Sequence, residues 1–194
     1  MTLTPLAPAA EVIDSGFASP SPAAAAPATQ RHATLAFTFA HPAHAIALGF
    51  GAGLAPVAPG TAGTLWGWLS FVALQAWLPA AALGWIILGA LGIGWWACAV
   101  TARNLGSCDP GNVVWDEIVA FWIVLWLVMP AGFAAQCAAF ALFRFYDAVK
   151  PGPVAWADGL FHGWGWRGGL GVLFDDLVAA FCTLLTIAAW RALA

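Results

Sequence analysis

The chain has 194 residues, of which 62% are hydrophobic and only 8% are charged, against roughly 25% charged in an ordinary soluble domain. Together with 13 tryptophans, which are typical of helices that meet lipid headgroups, this composition predicts an all-α, multi-helix integral membrane protein. The formal net charge of −3 and the absence of a basic stripe exclude nucleic acid as a partner, and no oligomeric state follows from the composition.

The amino-terminal segment differs in composition from the rest of the chain. Residues 1–30 are rich in Ala, Pro, Ser and Thr and have no basic region ahead of an apolar run, so they do not resemble a signal peptide. From residue 45 onward the chain is apolar. We therefore predict a disordered tail at residues 1–44 and a membrane domain at residues 45–194.

Four apolar runs follow in the second domain. Residues 80–102 carry no charged side chain, and this run is long enough for a bilayer crossing of about 20 residues. Residues 118–129 and 133–143 are shorter, and the proline and glycine between them allow two half-buried helices or one kinked span. The last run, residues 177–193, is interrupted only by Arg191.

The charged residues between these runs fall into three clusters, at residues 103–117, 144–150 and 158–176. An ionised side chain inside a membrane helix costs roughly 2.5–3.5 kcal/mol on insertion scales, so such clusters indicate function. Basic residues lie in the same clusters, which predicts that the clusters face the cytoplasm. These basic residues are Arg103, Arg144, Lys150 and Arg167.

Two pairs of adjacent carboxylates are the main candidates for a metal site. Asp116 and Glu117 precede one apolar run, about two turns into a helix that Asp109 would cap. Asp175 and Asp176 precede the last run. Paired carboxylates repel each other unless a cation neutralises them. An all-oxygen set favours Mg²⁺, whereas zinc would recruit His or Cys.

The middle cluster combines Arg144, Asp147 and Lys150. If the helix continues to Lys150, Asp147 lies three residues from both cations and shares a face with them. The cluster is then either a local salt-bridge network at a helix end or a phosphate site, with Arg as a fork and Lys as a point charge.

A glycine- and proline-rich segment, residues 49–64, leads into a Trp-rich run that ends before Pro79. Exposed backbone amides in such a turn can hold an anion at a helix start. The segment lacks the Gly-Lys-Ser/Thr ending of a nucleotide-binding loop, so nucleotide binding is not supported.

In this order, the motifs resemble phosphatidylglycerophosphatase A, a family of bacterial membrane lipid phosphatases. The matching segments are residues 53–56, 58–61 and 63–64, then 109–110, 113–114 and 116–117, then 142–147, 150–151 and 153, and finally 168–169, 171–172 and 175–176. Three positions depart from the family's usual residues, because Ala62 and Gly152 stand where Trp is frequent and Ala120 where Gly is common. These departures concern headgroup fit and packing more than metal binding.

The resemblance implies an all-α enzyme in the bacterial inner membrane that uses Mg²⁺ to hydrolyse phosphatidylglycerophosphate, with its site facing the cytoplasm. The metal ligands would be Asp116, Glu117, Asp175 and Asp176, with Asp109 as a further catalytic or ligating residue. Arg144 and Lys150 would bind phosphate, while Asp147 orients them or accepts a proton. The phosphate would be cradled by Gly60, Thr61 and Thr64.

Two other functions fit part of the pattern. An Mg²⁺-dependent phosphatase of another lipid phosphate would use the same residues. A small ion transporter or channel could line its path with carboxylates, but it would leave the Gly/Pro motifs and the Arg-Asp-Lys cluster without a role.

Overall fold

The computed structural model describes residues 31–107, 110–160 and 166–193, with the side chains of the last range described from Gly169 onward. Every regular element in these ranges is helical, so the all-α prediction is confirmed. The elements are α1 (Leu35–Ala40), α2 (Pro42–Ala47), a kinked 3₁₀ turn (Gly49–Leu54), α3 (Pro59–Gln75), α4 (Ala80–Leu105), α5 (Trp115–Val128), α6 (Phe133–Val149), α7 (Pro153–Leu160) and α8 (Trp166–Leu193).

Helices α1 and α2 lie inside the segment predicted to be a disordered tail. The Thr34 hydroxyl caps α1 by accepting a hydrogen bond from the Phe37 amide at 3.2 Å, and His41 caps α2. Helix α2 packs against α4, where Asn104 donates to the His44 ring at 2.8 Å. The predicted boundary at residue 44 is therefore wrong for residues 34–44, because local caps and packing order them. Residues 1–30 lie outside the described ranges.

Helices α4 and α8 are long and apolar enough to cross a bilayer. Helix α4 has 26 residues and the apolar part of α8, Gly169–Leu193, has 25. Only 39% and 33% of their most apolar stretches are buried inside the bundle, and Trp85 and Trp190 are about three-quarters exposed. A core helix of a soluble protein would hide this surface, so lipid is the solvent that it fits.

Helix α5 lies at the centre of the bundle, enclosed by α3, α4, α6 and α8. The prediction left open whether its apolar run joins the next one, and the structure separates them into α5 and α6. Because α5 is apolar on every side, it is buried nearly throughout. Its indole N–H groups donate to carbonyls of neighbouring helices, Trp115 to Ala90 at 3.0 Å and Trp122 to Gly67 at 2.8 Å, which satisfies them without water.

The close approach of α4 and α5 depends on Gly94. A Cβ atom at this position would lie 2.3 Å from the Trp115 ring, and overpacking of this kind costs about 1–3 kcal/mol. We expect Gly94→Ala to lower the melting temperature in detergent. Gly89→Ala on the same helix is the control, because its Cβ would meet nothing within 4 Å. Equal melting temperatures for the two variants would contradict the packing argument.

The helix starts differ from those predicted around both acidic pairs. Helix α5 begins at Trp115, so Asp116 and Glu117 lie in its first turn and not two turns in. Its N-cap is Val114, and Asp109 lies outside the described residues. Helix α8 begins at Trp166, which places the second acidic pair in its interior. Helices α4 and α8 run antiparallel, because Gly169 lies against Ala99 whereas Leu177 lies near Leu91. The start of α5 and Asp176 of α8 both come close to the stretch of α4 around Gly94 and Cys98.

Candidate active site

Three carboxylates converge where α5 begins against α8. Asp116, Glu117 and Asp176 each offer one oxygen, and these oxygens all lie within 4.8 Å of one another. We call these three residues the acidic cluster. Successive residues of a helix point about 100° apart, so Asp175 leaves the cluster and turns toward α6. The structure thus brings together three of the four predicted metal ligands.

The acidic cluster is buried, and one oxygen of each carboxylate has no hydrogen-bond partner among the described residues. Asp116 and Asp176 are 8% and 3% exposed. Among the described residues, no hydrogen-bond donor reaches Asp116 Oδ1, Glu117 Oε2 or Asp176 Oδ2. Burying an unpaired carboxylate costs several kcal/mol, and the positive end of α5 offsets only part of that cost. An all-oxygen set of this kind fits a hard divalent cation, which would supply the missing partner.

Arg144 lies beside the acidic cluster on α6. Its Nη1 atom donates to Asp147, lies 3.7 Å from Glu117 Oε1 and donates to the Thr64 hydroxyl at 3.3 Å. Asp147 also lies close enough to interact electrostatically with Glu117 and Asp176. The Arg144 Nε–H is buried and has no acceptor among the described residues. A buried guanidinium with an unused donor is suited to an anion.

Lys150 is held by carboxylates from two other helices. Its Nζ atom donates to Asp158 of α7 at 2.5 Å and to Asp175 of α8 at 2.6 Å. Burial would lower the pKa of Lys150, but the hydrogen bonds to Asp158 and Asp175 raise it above its ordinary value, so the ammonium stays charged. The predicted shared face with Asp147 is wrong for Lys150, because α6 ends at Val149 and Lys150 takes a left-handed backbone conformation.

The start of α3 closes the site on the side of Glu117 and Arg144. The first amides of a helix have no intrahelical acceptor, which leaves those of Gly60 and Thr61 available to an anion. Thr64 is fully buried, donates to the Gly60 carbonyl at 2.9 Å and accepts from Arg144. Thr64 therefore helps to hold the Arg144 side chain in place from α3.

Comparison with known proteins shows the family of the chain. A family model described as phosphatidylglycerophosphatase A matches residues 45–191, which include every described residue of the site. The chain belongs to the phosphatidylglycerophosphatase A family. Members of this family are phosphoric monoester hydrolases.

Relatives cover most of the chain. Phosphatidylglycerophosphatase A of Escherichia coli (strain K12) is 37% identical over 139 residues, which are 72% of this chain and 77% of that protein. Phosphatidylglycerophosphatase A of Haemophilus influenzae is 35% identical over 153 residues, 76% of this chain and 87% of that protein. A protein of Bacteroides thetaiotaomicron named as a candidate phosphatidylinositol-3-phosphatase is 39% identical over 152 residues, 75% and 91% of the two chains. No solved structure matches the chain.

Two residues at this phosphatidylglycerophosphatase A-type site were not predicted. Asp158 bonds Lys150 across a Pro-Gly-Pro turn, and no helical spacing relates the two residues in sequence. Asn112 donates to the Gly53 carbonyl at 2.6 Å and ties the glycine-rich turn to the loop before α5. Two sequence signals could have found them. Asp158 is an acid in an otherwise apolar segment, and Asn112 is an amide close to the Asp-Pro motif.

Gly60 allows α3 to approach the acidic cluster. A Cβ atom there would lie 2.1 Å from Glu117 Oε1, so alanine must displace that carboxylate. Misplacement of a catalytic group by about 1 Å can cost about 10²-fold in rate, and we expect Gly60→Ala to lower lipid phosphatase activity by that order. The control is Gly132→Ala, whose Cβ would meet nothing within 4 Å. Unchanged activity in the Gly60 variant would show that this contact is dispensable.

Proposed function

We propose that this chain is an Mg²⁺-dependent phosphatase that hydrolyses phosphatidylglycerophosphate to phosphatidylglycerol and phosphate in the bacterial inner membrane. The observation that carries the proposal is that buried acceptor atoms and a buried donor, all without hydrogen-bond partners, lie side by side in the site. One oxygen of each carboxylate in the acidic cluster, and the neighbouring Arg144 Nε–H, have no hydrogen-bond partner among the described residues. A metal ion together with a phosphate monoester satisfies both. The names of two relatives indicate which lipid to propose as the substrate.

Asp116, Glu117 and Asp176 would hold the metal. Their oxygen-only donor set supports Mg²⁺, which prefers carboxylates and commonly binds a substrate phosphate as well. When bound, the ion supplies neutralisation of phosphate charge and activation of water. Asp175 is engaged by Lys150, and we assign it to holding that lysine rather than to the first set of ligands.

The chain's own cations and amides bind the phosphate in this proposal. Arg144 donates from Nε, and the amides of Gly60 and Thr61 donate from the start of α3. Lys150 has three N–H donors, of which Asp158 and Asp175 take two, so the third serves a phosphate oxygen. Asp147 holds the guanidinium in place. Donors fixed before the reaction stabilise charge as it develops in the transition state.

The position of the site suits a lipid headgroup on the cytoplasmic side. Asp176 lies seven residues beyond Gly169, about 10 Å along α8, which is within reach of a headgroup phosphate. Arg103, Arg144 and Lys150 lie at this end of the bundle, whereas Arg191 bonds the Val128 carbonyl at the other end. The excess of basic residues supports a cytoplasmic orientation for the site.

A phosphatase of another lipid phosphate is the second candidate. It is favoured by the relative from Bacteroides thetaiotaomicron, whose name refers to a phosphoinositide. The site residues bind a phosphate and a metal and would serve either lipid. Ala62 and Gly152, which stand where the family often has Trp, lie near the start of α3 and just before α7, where we expect contact with the headgroup.

The test is phosphate release by the purified protein in mixed micelles. Phosphatidylglycerophosphate, phosphatidylinositol 3-phosphate and phosphatidic acid are compared with Mg²⁺, with chelator, and with Mg²⁺ restored. We expect the highest kcat/KM for phosphatidylglycerophosphate, loss with chelator and recovery with Mg²⁺. A higher kcat/KM for another lipid would change the substrate, and release that is indifferent to chelator would overturn the metal assignment.

A further inference from the structure

Asp158 is the one charged contact of the site that comes from α7. It bonds Lys150 at 2.5 Å, while Asp175 of α8 bonds the same ammonium at 2.6 Å. Lys150 therefore joins the end of α6 to two other helices. The Asp158 side chain is 43% exposed and that of Asp175 only 11%. The ammonium therefore lies between a carboxylate at the rim of the site and one in its interior.

The backbone at Lys150 is adapted to this bridge. Its φ angle is 48°, and its amide donates to the Tyr146 carbonyl at 3.0 Å, which closes α6. A left-handed conformation in a residue other than glycine costs of order 1–3 kcal/mol and persists only where the surroundings hold it. Here the two carboxylates supply that hold.

A lysine needs such support to act with a fixed geometry. Its side chain carries about 2 kcal/mol of rotamer entropy, and a single bond to Asp175 would leave the ammonium free to turn about that contact. A second carboxylate from another direction restricts this motion. It leaves the remaining N–H of Lys150 on the side away from both acids.

Resting on the phosphate site proposed above, we infer that Asp158 is a positioning residue: it fixes the Lys150 ammonium against Asp175 so that the third N–H meets the substrate phosphate. Asp158 itself touches no substrate. Its effect on phosphate binding passes through Lys150, and that dependence separates it from a residue that only stabilises α7.

A double-mutant cycle tests this dependence with Asp158→Asn, Lys150→Met and the double variant. Affinity for inorganic phosphate is measured by calorimetry in detergent with Mg²⁺, beside kcat/KM for phosphatidylglycerophosphate. We expect Asp158→Asn to weaken phosphate binding about tenfold and to add nothing in the Lys150→Met background. Asp158→Glu should restore most of the affinity. Gly159→Ala, a neighbour on α7 whose Cβ would meet nothing within 4 Å, should leave it unchanged.

Each outcome decides the inference. Additive losses in the two backgrounds, unchanged phosphate affinity in Asp158→Asn, or no phosphate binding by the wild type would each overturn it. A wild type that cleaves the lipid but gives an additive cycle keeps the proposed function and loses this inference. A non-additive cycle of phosphate binding in a wild type that does not cleave phosphatidylglycerophosphate keeps the inference and rejects that substrate. Melting temperatures of all variants exclude unfolding as the cause.

Discussion

Asp176→Asn is expected to reduce phosphate release on the order of 10³-fold while the bundle stays folded. The amide has the shape of the carboxylate but lacks its charge, so the acidic cluster loses a ligand for the cation that the other two acids require. Removal of one buried, unpaired charge also relieves repulsion in the metal-free protein. We therefore expect the metal-free variant to melt at a higher temperature than the wild type, with a smaller rise when Mg²⁺ is added.

Phosphate release and melting temperature, each with and without Mg²⁺, measure the two effects of this substitution. Glu11→Gln is the matched carboxylate-to-amide control, because residue 11 lies outside the family match at residues 45–191. A folded Asp176→Asn protein that keeps metal-dependent activity would remove Asp176 from the site.

Arg144→Lys should be nearly as damaging, with a loss of about 10²–10³-fold in kcat/KM. Lysine keeps the charge but has no planar fork. The guanidinium bonds Asp147 and Thr64, lies beside Glu117 and still has a separate donor for an anion. A lysine ammonium cannot make all of these contacts at once. Lysine is preferred to methionine here because an uncharged side chain would leave buried acids unpaired and destabilise the protein by about 3–5 kcal/mol.

The control for Arg144 is Arg191→Lys, at the far end of the bundle, where the guanidinium bonds only the Val128 carbonyl in the contacts that the structure describes. Both variants are compared by kcat/KM and by affinity for inorganic phosphate. Comparable values for the two would show that a charge at position 144 is enough and that its shape is unimportant.

The bilayer-crossing helices were the most predictable part of the fold. The charge-free run at residues 80–102 became α4, Ala80–Leu105, because a long apolar run has few alternatives to a helix in lipid. The start of α8 was missed, since the predicted apolar run began only at residue 177. In the structure Gly169 packs within a helix against Ala99 and the Trp95 carbonyl, and this close approach depends on a neighbour that is distant in sequence.

Sequence reasoning could mark the acidic pairs as a candidate site, because adjacent carboxylates repel each other unless a cation or a basic side chain neutralises them. Which carboxylates form the cluster and which one bonds Lys150 could not be predicted, since this depends on the rotation of each helix about its own axis. Asp176 belongs to the acidic cluster, while its neighbour Asp175 bonds Lys150. Asp158 became visible only when α7 was placed against α8, because the link between residues 150 and 158 has no periodic signal.

The enclosed helix α5 also sets the depth at which the lipid meets the protein. Its 14 residues extend about 21 Å, against about 30 Å for the hydrocarbon of a bilayer. Other helices surround it, so its first turn need not reach the water. A phosphate bound at the proposed site beside Asp116 and Glu117 would then lie below the plane of its neighbours. A thicker membrane would move that plane outward, so on this proposal we expect longer acyl chains in the surrounding leaflet to slow cleavage.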